Sequence, residues 1–354
     1  MSNSQKKRPP QEFATAKYIA EHTTIPIPKH FFSGHHDTLG PYIILQRVDA
    51  YDKCMSHLTK TLNPDRSVQH VLDRSLAPTT LETIWTKAAT CLLQLSRLTF
   101  PRIGSLTQNP TDGSYTVSDR PLTHNMAAMT GLCNIPRTVL PAEASTYPTA
   151  DAWSTALAEM NIAQLVFQHN DAVTSADDCR KKFVARQIFR RLPREGKLMT
   201  FGFAEDGWSA QALSGQLEDL APAPDGTGDF RLWGDDFRAG NLLMDKDGEL
   251  VAAIDWEFAY VAPTQFALDP PLWLLLDQPE MWEGGVGEWV RVYEGQLETW
   301  LGAMRRAEEL ERERAGGGGK GLGAPLSTHM RQSWATGRFW LNYGARKSWA
   351  FDMA

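Results

Sequence analysis

The sequence predicts an α+β fold, on three observations. Long stretches carry apolar residues at helical spacing. Two pairs of short segments are joined through Asp-Gly turns suited to hairpins. Helix-rich segments surround those hairpins instead of alternating with strands one by one, as a parallel sheet would require. The chain has 354 residues, beyond the ~100–200 of one ordinary domain, so one large domain or two lobes are expected. Hydrophobic residues make up 42% and charged residues 22%, enough for a substantial core and too many for a wholly disordered chain.

Taken in order, residues 1–11 are polar and basic and read as a disordered start. Gln11 to His22 is helical, with Phe13, Ala16 and Ala20 on one side. Thr23 to Pro28 ends it, because two prolines cannot continue a helix. Tyr42 to Val48, opened by Gly40-Pro41, reads as a strand. Thr80 to Leu98 is a helix on the spacing of Ile84, Ala88, Cys91, Leu92 and Leu95. Gly104 to Val117 is a hairpin around Asp112-Gly113, and Ala150 to Arg191 is mostly helical. Ala221 to Gly228 is a loop rich in Pro, Ala and Gly. Leu242 to Met244 and Leu250 to Ile254 form a second hairpin through Lys246-Asp247-Gly248. Leu272 to Leu276 opens further helix, continued by Trp289 to Arg314, whose mixed charges suit an exposed face. Residues 315–323 hold six glycines and read as a flexible loop.

Lys plus Arg is 36 and Asp plus Glu is 42, a net charge of −6 with no basic block, which argues against nucleic acid as a partner. Cys54, Cys91, Cys133 and Cys179 form no CxxC pair, so they read as thiols in a reducing compartment. Residues 1–11 lack the apolar core of a signal peptide. The densest apolar run, Leu272 to Leu276, falls far short of the ~20 residues that span a bilayer. A cytoplasmic protein without a membrane partner is expected. The composition leaves the oligomeric state open.

The chemistry concentrates in Trp233-Gly234-Asp235-Asp236-Phe237-Arg238-Ala239-Gly240-Asn241-Leu242-Leu243-Met244 and in Ile254-Asp255-Trp256-Glu257. Asp236 and Asn241 stand at D-x-x-x-x-N spacing, and Asp255 ends the second strand of the hairpin. A hairpin returns the chain to its start, so Asp255 can lie beside Asn241. One carboxylate and one amide oxygen there make a hard, oxygen-rich site suited to Mg²⁺. Asp236 is then free to accept a proton from a hydroxyl. Phosphoryl transfer uses this arrangement. The ordinary alternative is that such Asp and Asn residues serve turns and caps, as Asp245 and Asp247 do. An EF-hand at Asp245 fails, because its twelfth position is Trp256. His35-His36 reads as a solvated loop, and the tryptophans, Trp256, Trp273 and Trp282 among them, as core.

This segment resembles the motif of the aminoglycoside phosphotransferase and choline kinase-like family, and in particular its fungal phosphotransferase-family group. Residues 18–28, ending Ile25-Pro26-Ile27-Pro28, and Leu39-Gly40-Pro41-Tyr42-Ile43-Ile44-Leu45 look like that family's helix entry and hinge strand. Phe100-Pro101-Arg102-Ile103-Gly104, Pro270-Pro271-Leu272-Trp273 and Trp334-Ala335-Thr336-Gly337-Arg338 are similar to the same group. The resemblance implies a protein-kinase-like fold with a reduced N-lobe at residues 12–48 and a large helical C-lobe at 49–354, the catalytic hairpin lying at 233–257. It implies transfer of phosphate from ATP with Mg²⁺ to the hydroxyl of a small molecule. Asp236 would be the base, Asn241 and Asp255 the metal ligands, and Glu12 and Gln46 residues of the nucleotide site.

Two departures stand out. Gly234 occupies the place where the family commonly has His. The family's Gly-rich loop and strand Lys precede the helix that carries Glu12, whereas here only Lys6 and Lys7 stand there, beside Arg8-Pro9-Pro10. The expectation is a chain truncated at its N-terminus relative to the family, or one impaired in ATP binding. The alternative reading is a non-catalytic, pseudokinase-like binding module.

Overall fold

The computed structural model describes residues 3–50, 52–59, 70–168, 172–212, 219–315 and 322–352. In chain order its elements are α1 (Asn3–His22), β1 (His30–His36), β2 (Gly40–Leu45), β3 (Asp52–Lys53), α2 (Pro78–Leu95), β4 (Thr99–Phe100), β5 (Ser105–Gln108), β6 (Tyr115–Asp119), α3 (His124–Gly131), α4 (Ala150–Phe167) and α5 (Ala176–Arg194). They continue with α6 (Gly207–Ala212), β7 (Phe230–Gly234), β8 (Leu242–Met244), β9 (Leu250–Ala253), β10 (Ala259–Ala262), α7 (Thr264–Ala267), α8 (Gly285–Ala315), α9 (Leu326–Thr336) and α10 (Arg338–Arg346). Helices and small antiparallel sheets make this an α+β fold, as expected. Among the described residues no helix is long and apolar enough to cross a membrane.

Contacts divide the chain into two discontinuous compact units, neither of which begins or ends at residue 48. The first is Met1–Leu98, Asp236–Glu257 and Pro270–Met330. Within it α1 packs on the β1–β2 hairpin, and β8 pairs with both β3 and β9. Its core forms where α2 meets α8: the Trp85 and Trp300 rings meet edge-on at 6.1 Å, with Trp273 5.7 Å from Trp300. Trp289 stacks on Tyr293 at 4.5 Å, and the two donate to the carbonyls of Asp277 and Pro271, so this pair of buried rings keeps its polar atoms satisfied.

The second unit is Thr99–Asp235, Phe258–Asp269 and Arg331–Ala354. Its three-stranded sheet runs β10-β7-β4, and β5 pairs with β6 through a turn whose Gly113 has a φ of 74°. Trp153, Tyr260, Phe203, Phe230, Phe266 and Phe339 are fully buried there. Asp269, also buried, accepts from Ser333 and Asn342 and faces Arg346 at 3.8 Å.

Three elements differ from those expected. Disorder over residues 1–11 is corrected at 3–11, where α1 already runs; residues 1 and 2 lie outside the described residues. Pro9 and Pro10 lack the N–H that bonds four residues back, which hides this helix from a sequence reading. Its buried residues include Gln11, Ala14, Ala16 and Ile19. Strand β1 contains the His35-His36 pair taken for a loop; its burial does not alternate, so no period-2 signal exists. The Leu272–Leu275 turn is a 3₁₀ segment, ended by Leu276 at a φ of 64°. The Gly-rich loop expected at 315–323 falls mostly on 316–321, outside the described residues.

Candidate phosphoryl-transfer site

Strand register sets the geometry. Leu242 pairs with Ala253 and Leu243 with Ala252, and the turn between the strands closes through Gly248, whose φ is 76°. Ile254 then donates its N–H to the Asn241 carbonyl at 2.9 Å, which brings Asn241 and Asp255 to the same end of the hairpin. On the other side, Ala253 donates to the Pro26 carbonyl at 2.8 Å, anchoring the strand to the chain that leaves α1.

Asn241 is buried, at 3% exposure, and its amide nitrogen donates to the Asp236 carbonyl at 2.9 Å and to Asp236 Oδ2 at 3.2 Å. With both amide protons so directed, the Oδ1 atom is the part of Asn241 left to accept or to ligate a cation. The other carboxylate oxygen of Asp236, Oδ1, accepts from Arg238 Nε at 3.0 Å. Both oxygens of Asp236 are thus held, one by each neighbour, and each keeps a lone pair.

Asp255 is exposed and has a φ of 61°. Left-handed backbone at a non-glycine residue costs on the order of 1–3 kcal/mol and clusters at functional sites. The next residue explains how the turn is held: Trp256 is buried, donates Nε1 to the Ala253 carbonyl at 3.0 Å, and lies 6.0 Å from the Phe237 ring. The two loops of the site are therefore packed through a pair of aromatic rings.

Glu12, on α1, faces this end of the hairpin. Burial, and then the negative charges of Glu257 and Asp255, raise its carboxyl from 4.5 to about 7. Glu12 has no cationic partner among the described residues. Gln46, just after β2, is exposed and occupied locally: its N–H donates to the Lys29 carbonyl at 2.8 Å and its Oε1 accepts from the Lys29 N–H at 3.3 Å. All five sequence-predicted residues lie in the first unit. The fold joins Asp236, Asn241 and Asp255 through hydrogen bonds and register, brings Glu12 to Asp255 electrostatically, and makes no hydrogen bond between Gln46 and the other four.

Asp235 has a different occupation. Its Oδ2 accepts from the His124 N–H at 2.9 Å, at the first turn of α3, and its own N–H donates to the Phe258 carbonyl at 3.2 Å. Among the described residues no group of three or more His, Cys, Asp or Glu side chains is arranged to hold a metal ion. The donor types of Asn241 and Asp255, one amide oxygen and one carboxylate, are those Mg²⁺ accepts, since it usually takes one or two protein carboxylates and completes its octahedron with water and phosphate oxygens.

No family model matches the chain, and no curated protein does. Solved structures of aminoglycoside phosphotransferase APH(4)-Ia are similar to it at low identity. A thermostable mutant in ternary complex with AMP-PNP and hygromycin B is 13% identical, with 95% of this chain and 82% of that chain covered and a TM-score of 0.38. A second mutant in the same kind of complex is 16% identical over the same coverage, also at 0.38. The apo form is 14% identical, covering 95% and 83%, at 0.36. At these TM-scores the matches carry no argument about this chain.

Two features of the site escaped the sequence reading. Arg238, two residues after Asp236, is the ion-pair partner of that carboxylate. Glu257 raises the Glu12 carboxyl more than Asp255 does. The signal for both was present, since each lies within two residues of a residue already singled out. A cavity of about 610 Å³ also lies in the first unit, lined by Thr24, Lys87, Gln94 and Arg306 among others, and none of the five predicted residues lines it.

Proposed function

We propose that this chain is a small-molecule phosphotransferase of the protein-kinase-like class, with ATP as the donor, Mg²⁺ as the cofactor and a hydroxyl group as the acceptor. The observation that carries the reading is the tie between Asp236 and Asn241, set at the same end of a hairpin as Asp255. The motif's resemblance to the aminoglycoside phosphotransferase and choline kinase-like family supports it.

In this reading the acceptor hydroxyl hydrogen-bonds to Asp236, which orients it and takes its proton as the oxygen bonds to the γ-phosphorus. The bond from that phosphorus to the bridging oxygen breaks, and ADP leaves with the electron pair. General-base catalysis of this kind contributes about 10²–10⁴-fold in rate. Asn241 keeps Asp236 in place from beneath. Bound to Asn241 Oδ1 and Asp255, Mg²⁺ would supply positive charge to the phosphate oxygens. Glu12 and Gln46 belong to the nucleotide side of the site, Glu12 as a carboxylate awaiting a cation and Gln46 beside the apolar Ile44 and Leu45, both exposed. An intact Asp236–Asn241–Asp255 set favours the enzyme over a binding module.

The test is transfer of labelled γ-phosphate from ATP to a panel of aminoglycosides and small amino alcohols. Magnesium-dependent transfer that Asp236→Asn abolishes is expected. Transfer unaffected by that substitution, or none to any acceptor, contradicts the reading.

A further inference from the structure

Arg238 is built into the loop with more care than a surface ion pair requires. It precedes the short 3₁₀ turn of Ala239–Asn241, in extended backbone, and its carbonyl accepts the Asn241 N–H at 2.9 Å. The turn therefore sets Arg238 and Asn241 in a fixed relation, and their side chains hold the two oxygens of Asp236. Only Nε of the guanidinium is used in that bond. The two terminal nitrogens have no other hydrogen-bond partner among the described residues, and the side chain is 49% exposed against 24% for Asp236. A guanidinium anchored at Nε presents its remaining N–H groups as a fork suited to a phosphate oxyanion.

Gly240 is the device that makes room for it. A Cβ at this position would stand 2.6 Å from the Arg238 terminal nitrogen Nη1. No positive φ demands glycine there; a Cβ would displace the guanidinium end of Arg238 from its present position. Retaining the ion pair for stability alone is a weak explanation, since half-exposed pairs contribute about 0–1 kcal/mol.

We propose that Arg238 is an oxyanion-binding residue of this site: Asp236 anchors it, Gly240 leaves it room, and its free edge takes an oxygen of the phosphate chain. Phosphate as the ligand rests on the phosphotransferase reading. The cation offsets the negative charge that Asp236 and Asp255 would otherwise turn toward an incoming polyphosphate, and it does so on the side of the base.

The test uses inorganic tripolyphosphate with Mg²⁺, titrated calorimetrically into the full chain, so that it needs neither a known acceptor nor turnover. Arg238→Gln should weaken binding about tenfold or more, the effect of losing a charge-assisted contact. Arg238→Lys should be intermediate, since it keeps the charge and loses the fork. Gly240→Ala should weaken binding although it leaves every charge in place, and the double variant Gly240→Ala/Arg238→Gln should be no worse than Arg238→Gln alone. Melting curves of all variants should stay close to the parent. Equal binding by the parent, Arg238→Gln and Gly240→Ala overturns the proposal, as does the absence of any tripolyphosphate binding by the parent. Failure of the phosphotransferase reading looks different: no phosphoryl transfer from ATP, whatever tripolyphosphate does.

Discussion

The side-chain amide of Asn241 donates to both the carbonyl and the carboxylate of Asp236, at 2.9 and 3.2 Å. The five-residue spacing between them closes on itself, and Asn241 serves as a support for the base as well as a candidate ligand. Asn241→Leu should therefore act twice. Loss of a buried polar partner should cost about 1–3 kcal/mol in denaturant unfolding, and magnesium-dependent nucleotide binding should fall with it. A variant that unfolds at the parent's denaturant midpoint would show that the amide bonds hold nothing.

Neighbouring aspartates should separate by phenotype. Asp235→Ala removes the acceptor for the His124 N–H at the start of α3 and should lower stability by about 1 kcal/mol, the usual effect of losing a cap. Asp236→Asn should leave the melting temperature near the parent's and lower kcat by about 10²–10⁴-fold. Measuring kcat and melting temperature for both on one acceptor decides the assignment. Turnover lost on replacing Asp235 and kept on replacing Asp236 would move the base by one residue.

Glu12 makes the fold pH-dependent. Its carboxyl holds a proton more tightly in the folded chain, up to about 7, than at its ordinary value of 4.5. The folded state thus binds the extra proton between those values, so this group's contribution is most favourable below 4.5 and is lost as pH rises through 7. Glu12→Gln should flatten that fall and raise the melting temperature at pH 8 more than at pH 5. Parallel melting profiles for parent and variant across this range would contradict the assignment.

Asp269 carries the polar core of the second unit. It accepts from Ser333 and Asn342 beside Arg346, and burial raises its carboxyl while Arg346 and Arg338 pull it back down. Asp269→Ala leaves those arginines buried without their acid and should cost about 3–5 kcal/mol. Chemical denaturation gives the value directly. A loss below about 1 kcal/mol, the scale of a surface pair, would show the network to be unimportant.

The parts of this site that could be read from the sequence were those fixed by local geometry. Asp-Gly at Asp247-Gly248 and the apolar runs beside it specify a hairpin, and a hairpin alone suffices to bring Asp255 back to Asn241. Of the tryptophans read as core, Trp256 is buried, as are Trp85, Trp289 and Trp300, whereas Trp273 and Trp282 are half-buried and Trp208 is exposed. What stayed hidden depends on contacts between distant segments. Strand β1 has no alternation to show, since Phe31 and Phe32 are both exposed and Gly34 leaves room for the rings of Phe32 and Tyr42. The placement of Glu12 against Glu257 and Asp255 joins residues more than two hundred positions apart. The left-handed backbone of Asp255 and the packing of Trp256 beside it are encoded by no spacing rule.

The account's central claim is that Asp255 and Asn241 hold the metal through which a nucleotide binds. Asp255 can be changed without loss of fold, because its φ of 61° is one that glycine adopts freely and asparagine tolerates. Asp255→Asn and Asp255→Gly should both melt at or slightly above the parent temperature. The deciding measurement is Mn²⁺ binding in the presence of ATP, followed by electron paramagnetic resonance, for the parent and both variants. The account predicts bound Mn²⁺ in the parent and its loss in each variant with the fold intact. Equal Mn²⁺ binding by all three proteins would contradict it and reduce Asp255 to the end of a strand.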